Sequence, residues 1–320
     1  MPISFIINLS LLGIIYWLAV YLVSRNARSK LAWISAAFLT SLSVYSLATD
    51  ISRNLTIYRF YDQLWRFTNW SYLLPIPLIF HFSIIVTGRQ KNQINGWILK
   101  FMYYLAFILL IFSTFTDLVV STKIGAFIDG IGYVNPRGPL FWIVGVFVGA
   151  ASFGAACNYI IALKNKKQLE RHEKIKFSLA LLSSLLYLCT GPFAAYLYYD
   201  PLQILATRWT PLFFILSFAP MIIATFFYRL ISDVEYIFNW KEFSYLTITI
   251  SIINLINGTA FIHFIAPKLG ELSYILVPFF MLITITTHGF YDWLATFIRD
   301  LLYNAGNGFS LITDADTTDL

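Results

Sequence analysis

Three histidines are the side chains most able to do chemistry within the long apolar segments of this sequence: His81, His263 and His288. An ionisable side chain at membrane depth is costly and usually functional. The carboxylates nearest to these segments all fall at segment ends: Asp50, Asp117, Asp200 and Asp292. Proton- and cation-coupled transporters use buried Asp or Glu, so their absence from the segment centres argues against that class.

The sequence carries no recognisable catalytic pattern. It has no phosphate-binding glycine loop, no Gly-x-Ser-x-Gly and no His-Glu-x-x-His. The two cysteines, Cys157 and Cys189, both lie in apolar segments and lack the spacing of metal ligands or of a disulfide framework. We therefore expect a protein that is not an enzyme and that has no metal or cofactor.

His81 lies in the most unusual segment, Trp70–Arg89, which reads WSYLLPIPLIFHFSIIVTGR. Pro75 and Pro77 each remove a backbone donor, so this helix is expected to kink or break. In lipid the freed carbonyls need partners within the protein, so the helix should be packed inside a bundle with a cavity near the break. The candidate ligand-pocket residues are Trp70, Pro75, Pro77 and His81. For His81 the alternative is a structural role, tying its helix to a neighbour.

Composition places this segment in a membrane protein. Of 320 residues, 58% are hydrophobic and 12% charged, whereas soluble domains carry roughly 25% charged residues. We predict an all-α polytopic transmembrane bundle of about nine spans over residues 1–291. The predicted spans are 4–23, 31–49, 67–87, 97–116, 140–163, 177–198, 210–228, 243–265 and 273–291.

Basic residues predict the orientation of the bundle. The odd-numbered loops hold 14 of the 22 Lys and Arg, six of them in the run Lys164–Lys176. By the positive-inside rule these loops are cytoplasmic, with the N-terminus outside and the C-terminus inside. The net charge of +6 then reflects topology and contact with lipid headgroups rather than nucleic-acid binding.

Two further patterns concern helix contacts. Gly145 and Gly149, followed by several alanines and Gly154, predict close packing of the fifth span, either within the chain or in a homodimer. Asn158 could hydrogen-bond across helices. Beyond the last span, residues 292–304 form an amphipathic pattern that predicts a juxtamembrane signalling helix, and 305–320 a flexible tail or the start of a linker.

Three stretches resemble the seven-helix N-terminal region of bacterial sensor histidine kinases. The first is the third span, with Pro77, His81-Phe82 and Thr87-Gly88-Arg89. The others are YRLISDVEYIF (228–238), similar to the exit of that family's seventh span, and HGFYDWLATFIRDLLYN (288–304), similar to the helix that leads to the kinase.

The resemblance implies a sensory input domain of a two-component system in a bacterial inner membrane. The residues it implies for signal transmission are Asp233, Trp293, Phe297, Arg299, Asp300 and Tyr303. It also implies a small apolar or peptide ligand, a homodimer, and a cytoplasmic kinase or regulator as partner, since no kinase boxes occur in this sequence. Two alternatives stay open: a small-molecule permease or channel, and a membrane protein that scaffolds another protein.

Overall fold

The architecture is a bundle of helices. The computed structural model describes residues 3–25, 29–52, 55, 58–120, 126–128, 132–134, 138–165, 171–197, 248–249, 252–253, 256, 260, 264, 268 and 270–289. The helices, in chain order, are α1 (Ile3–Arg25), α2 (Lys30–Ser52), α3 (Tyr58–Thr68), α4 (Trp70–Leu73), α5 (Pro75–Val86), α6 (Gln93–Phe115), α7 (Phe141–Asn165), α8 (Arg171–Leu197) and α9 (Ser273–Gly289). Short 3-10 turns occupy Arg89–Lys91 and Gly270–Leu272.

Among the described residues, four helical stretches are long and apolar enough to cross a membrane. They are Lys30–Ile51, Phe60–Val86, Gln93–Phe115 and Phe141–Lys164, and two shorter apolar helices are Leu12–Ser24 and Ser273–Gly289. The helical class is thus confirmed, and these lengths indicate a membrane protein. Of the nine predicted spans, 210–228 lies outside the described residues and 243–265 is described at a few positions only.

A small β-hairpin interrupts the helical pattern between α6 and α7. Strand β1 (Ala126–Ile128) pairs antiparallel with β2 (Gly132–Val134), with Phe127 opposite Tyr133. The sequence predicted a loop here, and the pairing lies within that loop.

Helix α3 leads into the predicted third span and begins at Tyr58, nine residues before the predicted start of that span at 67. Helix α3 carries Asp62 and Arg66, whose charges lower its hydropathy and hid it from the apolar pattern. In the structure Arg66 Nε lies 3.0 Å from Asp62 Oδ1, one helical turn away. This i,i+4 pair satisfies both charges locally, so a polar stretch can continue an apolar helix.

Helix α5 is the centre of the bundle, as its prolines predicted. It packs against α2, α6 and α7, and nine of its twelve residues are buried. Leu74 donates its N–H to the Trp70 carbonyl at 2.9 Å, and Pro75 then starts α5. Pro75 and Pro77 have no N–H to donate, so the hydrogen-bond ladder is interrupted here. Leu74 keeps helical dihedral angles, φ −64° and ψ −36°, and the chain direction therefore largely continues.

Small residues bring α7 against its neighbours within the chain. A Cβ on Gly154 would lie 2.8 Å from Phe80 Cε2 of α5, and one on Gly149 would touch Leu188 Cδ1 of α8 at 4.0 Å. The nearby Ala151 and Ala155 are fully buried. The intrachain interpretation of this small-residue face is therefore confirmed.

Candidate functional site: a cavity between the first and last described helices

An open-sided cavity of about 780 Å³ lies between α1, α2, α4 and α9, with Trp33 of its wall 56% exposed. Its position follows from small side chains on α1 and α2, which leave space where larger ones would fill the bundle. The residues that line it are Ala19, Val20, Val23 and Ser24 of α1, Trp33, Ala36, Ala37 and Thr40 of α2, Trp70 of α4 with Leu74, and Thr286 and Gly289 of α9.

The lining is almost wholly apolar. None of the twelve lining residues is charged. Ser24 donates its hydroxyl to the Tyr21 carbonyl at 3.0 Å, and Thr286 donates its own to the Leu282 carbonyl at 2.7 Å. Since both donor protons are committed to their own helices, the cavity suits an apolar ligand better than a polar one.

One wall of the cavity is the contact between α1 and α9. A Cβ on Gly289 would collide with Val20 Cγ1. The Tyr16 hydroxyl lies 2.8 Å from the Thr286 hydroxyl and donates to it, because the Thr286 proton is already used. A molecule that fills the cavity would therefore touch both helices beside the seam that joins them.

His288 takes part in the same seam. Its ring meets the ring of Trp17 edge-on, with centroids 6.2 Å apart and an interplanar angle of 61°. Trp17 is 1% exposed, and its indole Nε1 has no hydrogen-bond partner. A Cβ on Gly13 would likewise collide with Met281 of α9. The two helices thus meet closely along several turns.

His81 lies elsewhere. Its Nδ1 is 3.0 Å from Tyr103 Oη of α6, and the two rings meet edge-on at 5.8 Å and 86°. His81 is half-buried and does not line the cavity. This geometry corresponds to the structural alternative, in which the histidine ties its helix to a neighbour.

Among the four predicted pocket residues, the structure places Trp70 in the cavity wall. Pro75 and Pro77 are buried in the core and do not line the cavity. The cavity touches Trp70 and Leu74, on the N-terminal side of the proline break. The interruption of the helix therefore lies beside the cavity, as expected, whereas Pro75 and Pro77 themselves are buried among core side chains.

The Thr-Gly-Arg exit of α5 anchors this helix to α7. Gly88 adopts a left-handed φ of 71°, which turns the chain after the helix end. Arg89 Nη1 then donates to Asn158 Oδ1 at 2.8 Å, and Asn158 Nδ2 donates to Ser83 Oγ at 3.0 Å. The predicted interhelical role of Asn158 is confirmed.

A second polar cluster joins α3 and α4 to α6, and the sequence analysis missed it. Arg66 Nη1 donates to the Thr114 carbonyl at 2.7 Å, Asn69 Nδ2 to the Ser113 carbonyl at 2.9 Å, and Tyr72 Oη lies 2.7 Å from Ser113 Oγ. The signal was present in the spacing, since Arg66, Asn69 and Tyr72 follow one another at three-residue intervals on one helix face.

The candidate signal-transmission residues Asp233, Trp293, Phe297, Arg299, Asp300 and Tyr303 all lie outside the described residues, as does His263. Across the part of the chain that is described, no group of three or more His, Cys, Asp or Glu side chains could hold a metal ion. Searches of protein-family models, curated proteins and solved structures found no match to this chain.

Proposed function

We propose that this chain is the sensory input part of a membrane signalling system. The observation that carries the proposal is the shared wall of the cavity, which α9 supplies together with α1. A ligand in the cavity contacts Thr286 and Gly289, the last turn of α9. Three residues later the sequence begins the amphipathic pattern of 292–304, which we assign as the output helix.

The coupling rests on how tightly the seam is packed. Because Gly289 leaves no room for even one methyl group beside Val20, α9 cannot move closer to α1. A ligand that fits better when α9 is displaced would therefore shift the population toward the displaced state. Because 292–304 follow α9 directly in the sequence, the change would reach them.

The proposed setting is a bundle of nine spans in a bacterial inner membrane, with the N-terminus outside and 292–304 in the cytoplasm. The basic odd-numbered loops support this orientation. The output partner is a cytoplasmic kinase or regulator, and the similarity of 288–304 to the helix that precedes histidine kinases supports that assignment. A homodimer would place two copies of this helix side by side.

The test displaces α9 without a ligand. Gly289→Ala puts a methyl group into Val20 and should push the end of α9 away from α1. With Cys157 and Cys189 replaced by serine, single cysteines are placed along 292–303, and their rates of maleimide labelling are measured in membranes. Gly289→Ala should change the labelling pattern by about fivefold at some positions, the lower range of typical intersite coupling.

Two matched variants keep this test decisive. Gly96→Ala adds the same methyl group where nothing lies within 4 Å, and its labelling pattern should equal that of the parent. Val20→Ala combined with Gly289→Ala removes the collision and should restore the parent pattern. If Gly289→Ala leaves the pattern unchanged, or if Val20→Ala does not restore it, α9 does not report on the seam and the sensor proposal is wrong.

A further inference from the structure

We propose that the cavity binds the hydrocarbon chain of a long-chain fatty acid, whose carboxylate lies at Lys30. This inference rests on the proposed function, because it names the ligand class of the same site. It follows from three features of the cavity: its lining, its volume and the charge beside Trp33.

The lining offers few groups for polar recognition: the Thr40 hydroxyl and the indole N–H groups of Trp33 and Trp70 lie among mostly apolar side chains. Its residues include no charge and no carboxamide, and the hydroxyls of Ser24 and Thr286 donate to carbonyls of their own helices. A polar ligand would lose hydrogen bonds to water and regain few. A hydrocarbon chain loses none, and it gains van der Waals contact with the alanines, valines and the two tryptophans of the wall.

The volume favours one chain. Pockets that hold a single small molecule measure roughly 300–1,000 Å³, and this cavity measures about 780 Å³. A phospholipid with two acyl chains and a headgroup is a poor fit to such a space, whereas a single-chain amphiphile matches it.

Lys30, which lies one helical turn before the lining residues of α2 and is not itself one of them, selects the headgroup. Lys30 is the first residue of α2 and is exposed. It precedes the lining residue Trp33 by three positions, so the two side chains are neighbours on one helix face. In the proposed orientation this end of α2 meets the cytoplasmic membrane surface, where tryptophan and lysine are common. An amphiphile with its chain between α1 and α2 would therefore bring a carboxylate to the Lys30 ammonium.

The experiment uses palmitic acid with a photoreactive diazirine in mid-chain and the purified full chain in lipid nanodiscs. Labelled peptides should come from α1 and α2 around Val20 and Ala37. Ala37→Phe fills the cavity and should reduce this labelling by about tenfold, since an overfilled pocket excludes the chain. The control Ala150→Phe makes the same change on the exposed face of α7 and should leave the labelling unchanged.

The headgroup assignment has its own comparison. Lys30→Gln should weaken palmitate binding by about fivefold, the effect of one lysine at a membrane surface, and should leave hexadecanol binding unchanged. Lys91→Gln, at an exposed lysine of the 3-10 turn, should affect neither. An equal loss for palmitate and hexadecanol contradicts the contact with Lys30.

Labelling spread evenly over exposed helix faces, or unaffected by Ala37→Phe, overturns the inference itself. These results are separable from a failure of the sensor proposal. No fatty acid is added in the Gly289→Ala test, so the labelling pattern can change as the sensor proposal expects even when palmitate does not bind. The test can also fail when palmitate binds.

Discussion

The central helix α5 and the terminal helix α9 are held by different kinds of contact. Polar side chains fasten α5 to two of its neighbours: His81 bonds to Tyr103 of α6, and Ser83 and the exit residue Arg89 bond to Asn158 of α7. Helix α9 instead meets α1 through glycines that permit close approach, with a cavity at their side. Buried hydrogen bonds between helices specify one arrangement, whereas a seam that carries one exposed hydrogen bond, between Tyr16 and Thr286, beside an open cavity can repack at less cost. The comparison separates a fixed scaffold around α5 from an element that can move.

The largest effect should follow from Gly154→Val, at the contact between α5 and α7. Its Cβ would lie 2.8 Å from Phe80 Cε2, and the Phe80 ring is buried in the core, 3% exposed. We expect a loss of about 3 kcal/mol in the free energy of unfolding, near the upper range for overpacking. Denaturation by SDS in mixed micelles measures it. Gly149→Val is the matched control on the same helix, and an equal loss there would show that α7 is not anchored on Phe80.

The polar anchor of α5 comes next. Asn158→Leu removes the partner of Arg89 and of Ser83, and a lost hydrogen bond to a charged group costs about 2 kcal/mol. A double-mutant cycle with Arg89→Gln, followed by the same SDS denaturation, isolates the pair. If the two single losses simply add, the contact contributes nothing and the scaffold is less firmly held than the structure indicates.

A smaller effect should come from the contact between His81 and Tyr103. Tyr103→Phe deletes one hydroxyl and should cost about 1 kcal/mol, as for a typical interhelical hydrogen bond. Tyr104→Phe is the natural control, because Tyr104 is the next residue of α6 and is 69% exposed. The change in unfolding free energy should be near zero there. If Tyr104→Phe costs as much stability as Tyr103→Phe, the hydrogen bond between His81 and Tyr103 does not stabilise the scaffold.

The smallest effect is expected in the seam between α1 and α9. Thr286→Val removes the acceptor of the Tyr16 hydroxyl, but both groups lie at an exposed site, so the loss should stay below about 0.6 kcal/mol, the average for such bonds in membranes. Thermal unfolding of Thr286→Val and of Tyr103→Phe in detergent, each compared with the parent chain, shows which loss of stability is larger. A loss equal to that of Tyr103→Phe would mean that α9 is fastened as firmly as α5, and the contrast between the two helices would disappear.

Much of the scaffold could be predicted from the sequence, because its signals are local. The proline pair predicted a broken helix in the interior of the bundle, and the small residues around Gly154 predicted close packing of α7. Asn158 was expected to bond across helices. Each prediction depends on what one side chain needs at membrane depth, which does not change with the identity of the neighbouring helix.

The partner of His81 and the position of the cavity could not be predicted in the same way. Tyr103 is 22 residues from His81, and only the relative rotation of α5 and α6 decides that their side chains meet. The cavity combines residues of α1 and α9 that are more than 260 positions apart. No periodicity within one helix reports such a juxtaposition.

By itself, the sequence determined that this chain is helical and apolar enough for a membrane, since a backbone in lipid must satisfy its hydrogen bonds within each helix. It also determined that Pro75 would end a run of those bonds. The tertiary structure alone decided which side of that break faces empty space, placing Trp70 in the cavity wall and Pro75 in the core. The reason is packing: which helix face is filled depends on the volumes of side chains brought in from distant parts of the chain.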